Sequence, residues 1–437
     1  ETQLRRRSSG APRATNAKYL PFEESAQSSA LLRIGSMRSL MLMAIASGTS
    51  GTTGTRHNLT ATFEPPTIVH RSYNGQHAWF SGVSAPDDRH LIVVMSLGGD
   101  GTPCPPPGHH QNCSMAQRTH DGGRTWRPFL HWSLDGFNEI ISLPNGSFIM
   151  LPYSLDVNYA TNTSATSTAR GRAHLDAETG EFVWEAKSLP QKWLTTTDDP
   201  WPDRLVHSGS VVILRDGSLL STCYGHGAGT YRKWTKRSAV YFVRSVDMGT
   251  TWVRLATVPW QVAYGDSADG PGEPTTARLA DGRLMCVFRA DSTTPYWTVL
   301  SSDEGRTWNA PRKLDLAWSV KPRLRLTTRG VLVLTGGRPG IFLWASADGG
   351  ESWRMWNLAR EHNTLINAGA LAANYSYDAQ VVNVSGPTTP RAKPEPQTSS
   401  YTGLAEAADG AVVVSYDRIA NGWKGPPGVW GDCDTLF

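Results

Sequence analysis

Four copies of one six-residue turn are spread along this chain, and they constrain its fold more than any other feature. They are Asp121-Gly122-Gly123-Arg124-Thr125-Trp126, Asp247-Met248-Gly249-Thr250-Thr251-Trp252, Asp303-Glu304-Gly305-Arg306-Thr307-Trp308 and Asp348-Gly349-Gly350-Glu351-Ser352-Trp353. Each reads Asp-x-Gly-x-Thr/Ser-Trp. The carboxylate can accept from backbone N–H groups across the turn, the glycine supplies a positive φ, and the tryptophan packs the hairpin onto its neighbour. Four matched copies are too many for chance. They predict an all-β fold built from repeated antiparallel hairpins, a β-propeller of four-stranded blades.

A second repeat sets the number of blades. A hydrophobic strand, an Asp/Asn-Gly turn and another hydrophobic strand recur around Asn145-Gly146, Asp216-Gly217, Asp281-Gly282 and Asp409-Gly410, with Arg329-Gly330 as a variant and Asp87-Asp88-Arg89 as a weaker first copy. Each unit reads as the inner hairpin of a blade, and the six-residue turn then joins the blade's outer strands. Six units predict a six-bladed propeller over residues 63–437. Blade two carries only a degenerate copy of the turn at Asp176 to Gly180, and blade six shows none. The segment Thr195 to Arg204, with Asp198, Asp199, Pro200, Trp201 and Pro202, falls between blades two and three. It reads equally as a pocket rim and as a plain surface loop.

The charge is uneven. Of the 42 Lys/Arg and 38 Asp/Glu, residues 1–62 hold eight and three, so the remainder is close to neutral and gives no reason to expect nucleic-acid binding. Residues 1–62 are expected to form a disordered tail. Within it, Met37-Arg38-Ser39 followed by the apolar Leu40 to Ala46 and Ser47-Gly48 resembles a short signal peptide over about residues 37–48. Seven apolar residues cannot span a bilayer, for which about 20 are needed. Asn-x-Ser/Thr sequons at Asn58, Asn112, Asn145, Asn162, Asn374 and Asn383 also suggest a secreted glycoprotein. Cys104 and Cys113 bracket a Pro-rich loop where a local disulfide fits, which leaves Cys223, Cys286 and Cys433 as an odd number. No Cys pair has metal-site spacing and His109-His110 alone is a weak signal, so no metal or organic cofactor is expected.

Register then points to a site. Innermost propeller strands line the axis, and equal offsets from the Asp-Gly turns give equal heights around it. Nine residues before the turn glycine stand Phe80, Phe137, Ser208, Glu273, Lys321 and Tyr401; seven or eight after it stand Tyr153, Tyr224, Arg289, Arg338 and Asp417. Glu273, Tyr401, Arg289, Arg338 and Asp417 are therefore expected to converge at one mouth of the channel. Two guanidinium groups suit recognition of a carboxylate or sulfate. A tyrosine beside a carboxylate and cations can become nucleophilic. A structural ion network closing the axial hole is the alternative.

With these residues in place, the chain resembles the exo-sialidase (neuraminidase) superfamily, whose six-residue turn is the Asp box. The resemblance spans nearly all of residues 75–420. Glu273-Pro274-Thr275-Thr276 through Asp281-Gly282 to Arg289 looks like the family segment in which a glutamate precedes the turn and a substrate-binding arginine follows. Ser400-Tyr401-Thr402-Gly403 through Asp409-Gly410 to Asp417 looks like the nucleophilic tyrosine segment with its later acidic residue, and Gly337-Arg338 is placed like the third arginine of the family's triad. The resemblance implies retaining hydrolysis of a terminal sialic acid or related acidic sugar, with Tyr401 attacking, Glu273 activating it, and Arg289 and Arg338 holding the carboxylate. It also implies an Asp acid/base on a loop before the first Asp box, for which Asp100 is the candidate. Sialylated or other acidic glycans are the implied partners.

The chain departs from the family at one place. The first triad arginine belongs to a segment that here reads Gln76-His77-Ala78-Trp79-Phe80, without an arginine. Arg71, Lys321 and Arg323 are other cations that could reach the pocket. The departure keeps two further readings open: a lyase or hydrolase acting on another acidic polysaccharide, and a glycan-binding propeller without catalysis.

Overall fold

The computed structural model describes residues 32–39 and most of 59–417; outside the description lie 1–31, 40–58 and 418–437. So, chiefly, do 71–77, 98–112, 131–136, 227–237, 259–269, 291–294, 315–319, 338–339 and 366–399. The described residues form six sheets that succeed one another along the chain, each built on four antiparallel strands. Blade I is Ala78–Ser84, Leu91–Leu97, Cys113–Thr119 and Arg127–Leu130, and blade II is Phe137–Ser142, Ser147–Pro152, Gly171–Leu175 and Phe182–Ala186. Blade III is Arg204–Ile213, Leu219–His226, Ser238–Ser245 and Thr251–Val258. Blade IV is Gly272–Arg278, Leu284–Arg289, Trp297–Ser301 and Arg312–Lys313; blade V is Val320–Leu326, Leu332–Gly337, Ile341–Ser346 and Arg354–Asn357. Blade VI joins Gly403–Glu406 and Val412–Ser415 to Leu32–Ser39 and Leu59–Phe63. The first strands of the blades touch one another in the order I to VI and back to I, so the ring of six closes as expected.

For residues 32–39 and 59–62, blade VI corrects the expectation of a disordered tail over residues 1–62; the rest of that stretch lies outside the described residues. Val412–Ser415 would otherwise leave its outer edge unpaired; instead Leu32, Arg33 and Ile34 pair with Val414, Val413 and Val412, and Leu59–Phe63 adds the fourth strand. An open edge exposes unmet backbone donors and acceptors, and the amino-terminal strands remove that edge while locking the ring. Met37, Arg38 and Ser39, the start of the expected signal peptide, lie in this strand. Its apolar stretch, Leu40 to Ala46, lies outside the described residues.

Insertions also fold. Gln191–Thr195 pairs in parallel with the last strand of blade III, and the hairpin Asn158–Thr161 and Ser164–Ser167 extends that edge. Ser154–Asp156 pairs with Arg204 to Val206 on the opposite, axial edge of the same blade. Trp201, from the segment read as a rim or a surface loop, is fully buried, with the Arg254 guanidinium 4.3 Å from its ring centre and Trp193 edge-on at 5.8 Å. That segment is thus anchored in the core beside blade III. The helix Leu358–Leu365 follows blade V, and among the described residues no helix is long and apolar enough to cross a membrane.

The Asp boxes behave as their chemistry predicts. Asp121 Oδ1 accepts from the Arg124 and Thr125 amides and Oδ2 from the Thr125 hydroxyl; Asp303 and Asp348 accept in the same way from Thr307 and Ser352. Desolvation alone would raise the Asp121 pKa, but these bonds hold the carboxyl far below its usual range. The box glycines Gly123, Gly249, Gly305 and Gly350 all have φ between 82° and 93°. A hydroxyl two residues before each Asp, on Thr119, Ser245, Ser301 and Ser346, donates to that carboxylate and accepts the box glycine amide. This hydroxyl is a further member of the motif, outside the six residues of the turn. The box tryptophans point back to the preceding blade: Trp308 of blade IV stacks on Phe242 of blade III with ring centres 3.9 Å apart. In the degenerate box of blade II, Asp176 Oδ1 still accepts from the amide and hydroxyl of Thr179.

Outside the boxes, Asn145 sits exposed in its turn with Oδ1 accepting from Ser147, and the other five sequons lie outside the described residues. Cys223 and Cys286 are buried free thiols, and burial pushes Cys286 up to about 12. Cys104 and Cys433 lie outside the described residues.

Candidate active site

The first strands of blades I to V share an irregularity at one height. Strand register shifts between Trp79 and Gly82, Phe137 and Glu139, His207 and Val211, Gly272 and Thr275, and Val320 and Arg323. A bulge re-aims the side chains beside it, and here the bulges fall at the offset from the Asp-Gly turns that was read as the channel mouth. Glu273, Lys321 and Ser400 adopt φ of 47°, 33° and 64°. Non-glycine residues in this left-handed region cost about 1–3 kcal/mol each and persist where the surroundings over-determine them. Among the described residues, the other two non-glycine residues of this kind, Met248 and Glu304, are accounted for by Asp-box turns.

Three expected residues meet there. Tyr401 Oη donates to Glu273 Oε1, and Arg289 Nη1 donates to Glu273 Oε2 at 3.1 Å. The Lys321 amide donates to the same Oε2 at 2.7 Å. Glu273 is only 4% exposed and Tyr401 9%, whereas the Arg289 side chain keeps 18% of its surface in solvent at the rim of the group. Burial pushes the Glu273 pKa up, but the Arg289 charge, the Tyr401 hydroxyl, the Lys321 amide and the Lys321 charge together bring it below its ordinary value. The carboxylate is therefore ionised at neutral pH and positioned to accept the phenolic proton.

Neighbouring strands explain the convergence. Arg289 ends the second strand of blade IV and pairs with Gly272, next to Glu273. Ser415 pairs with Gly403, so the chain direction brings Asp417, fully buried, level with Tyr401. Tyr416, just before it, is buried in the core cluster shared with blade V, and its hydroxyl meets His362 Nδ1 of the helix at 2.7 Å. Arg338 and Asp100 lie outside the described residues. Gly337, which precedes Arg338, pairs with Val320, which precedes Lys321. Arg71 also lies outside them, while Arg323 is turned to the backbone, its Nε donating to the Thr402 carbonyl at 3.4 Å. Lys321 shares the predicted register and is the cation from blade V that reaches the group. It is 1% exposed, and its Nζ lies 5.1 Å from the centre of the Tyr401 ring. Among the described residues, no group of three or more His, Cys, Asp or Glu side chains is arranged to hold a metal ion.

Fold and site together define an Asp-box propeller with an ionised acid, a phenol and cations at one end of its axis. The chain belongs to the family described as BNR repeat-like domain, whose model matches residues 154–414. Among solved structures, it is similar to a protein of unknown function from Dyadobacter fermentans DSM 18053, with 13% identity over 84% of this chain and 94% of that one and a TM-score of 0.53. It is also similar to a Hadza microbial sialidase (13% identity, 83% of this chain and 73% of that chain, TM-score 0.48). Trypanosoma rangeli sialidase is a further similar structure (12% identity, 81% of this chain and 55% of that chain, TM-score 0.46). At such identities the likeness concerns the fold alone. No curated protein matches the chain in sequence.

Proposed function

We propose that this protein is a retaining glycoside hydrolase that removes a terminal sialic acid or a related acidic sugar from glycans. The observation that carries the reading is the hydrogen bond from Tyr401 to the buried, ionised Glu273, itself clamped by Arg289. In this reading Glu273 takes the phenolic proton as Tyr401 Oη attacks the anomeric carbon. The substrate's own carboxylate sits beside that carbon, so a neutral phenol approaches it where a carboxylate nucleophile would be repelled. Arg289, partly open to solvent, and Arg338 receive the substrate carboxylate through charge-assisted bonds. Asp100 supplies the proton to the leaving oxygen. The same proposal places the protein in the secretory pathway, where its substrates are displayed.

The test is release of a fluorophore from an aryl sialoside by wild type and by Tyr401→Phe. The reading requires wild-type turnover and a loss of at least about a hundredfold in the variant, the scale on which catalytic side chains act. Equal rates in both remove Tyr401 as nucleophile. Wild-type inactivity on sialosides, combined with a near-ultraviolet absorbing unsaturated product from a uronate polymer, replaces hydrolysis by lyase chemistry. Binding of acidic glycans without turnover makes the propeller a lectin.

A further inference from the structure

We propose that Lys321 is a positioning residue of this site, its buried ammonium held against the Tyr401 ring to stabilise the negative charge that develops on the phenol oxygen. The inference rests on the hydrolase reading and assigns the cation that assists its nucleophile. Three observations carry it. Lys321 is 1% exposed, so its charge is not screened by bulk water. Its Nζ lies 5.1 Å from the Tyr401 ring centre, within the range of a cation–π contact, which strengthens when the ring becomes a phenolate. Its backbone is in the left-handed region at φ 33° and donates its amide to Glu273 Oε2 at 2.7 Å, so one residue fixes the base and faces the nucleophile.

Among the described residues, the charged and titratable groups around Tyr401 come from three blades. Glu273 and Arg289 belong to blade IV, Lys321 and Arg323 to blade V, and Asp417 to blade VI beside Tyr401 itself. Among the described residues, Arg289 donates to Glu273 and Arg323 to the Thr402 carbonyl, and the Lys321 ammonium lies over the phenol ring. In the first half-reaction the phenolic O–H bond breaks, the proton passes to Glu273 Oε1, and the Oη electron pair forms the bond to the anomeric carbon as the bond to the aglycone oxygen breaks and that oxygen takes a proton from the acid/base group of the hydrolase reading. In the second, water bonds to that carbon and gives one proton back to the acid/base group, while Oη leaves with its electron pair and regains its proton from Glu273. Charge develops on Oη in both steps. The ammonium therefore lowers both barriers without needing to touch the sugar.

Three variants and two readouts test this. Lys321→Met keeps the volume and removes the charge; Lys321→Arg keeps the charge. The ionisation of Tyr401 is read as the 295 nm titration of each protein minus that of its Tyr401→Phe counterpart, and turnover is read on an aryl sialoside. The expected result for Lys321→Met is a Tyr401 midpoint about one pH unit higher and a kcat about ten- to hundredfold lower, with KM changed less than about threefold. Lys321→Arg should restore most of both. A midpoint that does not move in Lys321→Met, or a Lys321→Arg variant as impaired as Lys321→Met, overturns the proposal. If Lys321→Met does not fold by circular dichroism, Lys321→Gln takes its place and the arginine variant still decides. The titration needs no substrate, so a wild type inactive on every sialoside strikes the hydrolase reading while the role of Lys321 is judged separately.

Discussion

Replacing Glu273 by Gln removes one negative charge from the centre of the candidate site while keeping the side chain's size and two polar atoms. The carboxylate accepts from Tyr401, from Arg289 and from the Lys321 amide, and it is 4% exposed. An amide can still accept on one atom, but it cannot balance Arg289 and Lys321. Breaking a buried ion pair by removing one partner costs about 3–5 kcal/mol, and the solvent still reaching Arg289 brings the expectation to about 2–3 kcal/mol. For a chain of 437 residues, the usual per-residue entropy of unfolding converts this into a fall in Tm of roughly 2–3 °C. The assay is thermal unfolding by circular dichroism as a function of pH. The folded pKa of Glu273 is depressed below its ordinary 4.5, so its stabilisation is fully present above that value and is lost as pH falls through the folded pKa. The gap in Tm between wild type and Glu273→Gln should thus be constant near neutrality and shrink below about pH 4.5. A gap that stays flat through acid, or widens there, refutes an ionised Glu273 held by cations.

Two further substitutions probe the scaffold. A Cβ on Gly403 would stand 2.3 Å from both Ser415 Oγ and the Val83 amide nitrogen, so Gly403→Ala should force blades VI and I apart and destabilise by about 1–3 kcal/mol, measured by urea unfolding. Trp308 stacks on Phe242 of the preceding blade and donates Nε1–H to the Gly305 carbonyl at 3.1 Å, so Trp308→Ala should cost about 3–5 kcal/mol in the same assay; a loss under about 1 kcal/mol would deny the box its stapling role.

How much was legible in the sequence follows from how far each signal repeats. The Asp-Gly turn recurs in blade after blade, so one offset transfers from turn to turn, and counting back nine residues located Glu273, Lys321 and Tyr401 together. The Asp boxes were legible for the same reason, although the hydroxyl two residues upstream escaped notice because Ser and Thr are common in any strand. Closure of blade VI was not legible. Leu32–Ser39 has only a short apolar alternation, interrupted at Gly35, and its register slips between Gly35 and Arg38. It is held by pairing with a strand nearly four hundred residues away, which no local pattern announces. The parallel pairing of Gln191–Thr195 with blade III is likewise non-local. Trp201 in a polar, Pro-rich stretch read as rim or surface because composition does not reveal that Arg254 and Trp193 enclose it.

The site and the irregular backbone have one cause. A propeller strand with unbroken pairing commits every amide and carbonyl to its neighbours and offers the axis only alternate side chains. The bulges release that constraint. At blade V the released amide of Lys321 is turned by a positive φ onto Glu273, and at blade IV Glu273 itself takes the same conformation. Three left-handed residues at about 1–3 kcal/mol each are affordable only if the contacts they create return a comparable amount. The ion pair with Arg289, the bond from Tyr401 and the amide of Lys321 are those contacts, and all converge on one carboxylate. Strain at these positions would bring a closure device nothing that apolar side chains across the axis could not supply more cheaply. Its concentration around an ionised base and a phenol is what favours a chemical role for the cluster over a structural one.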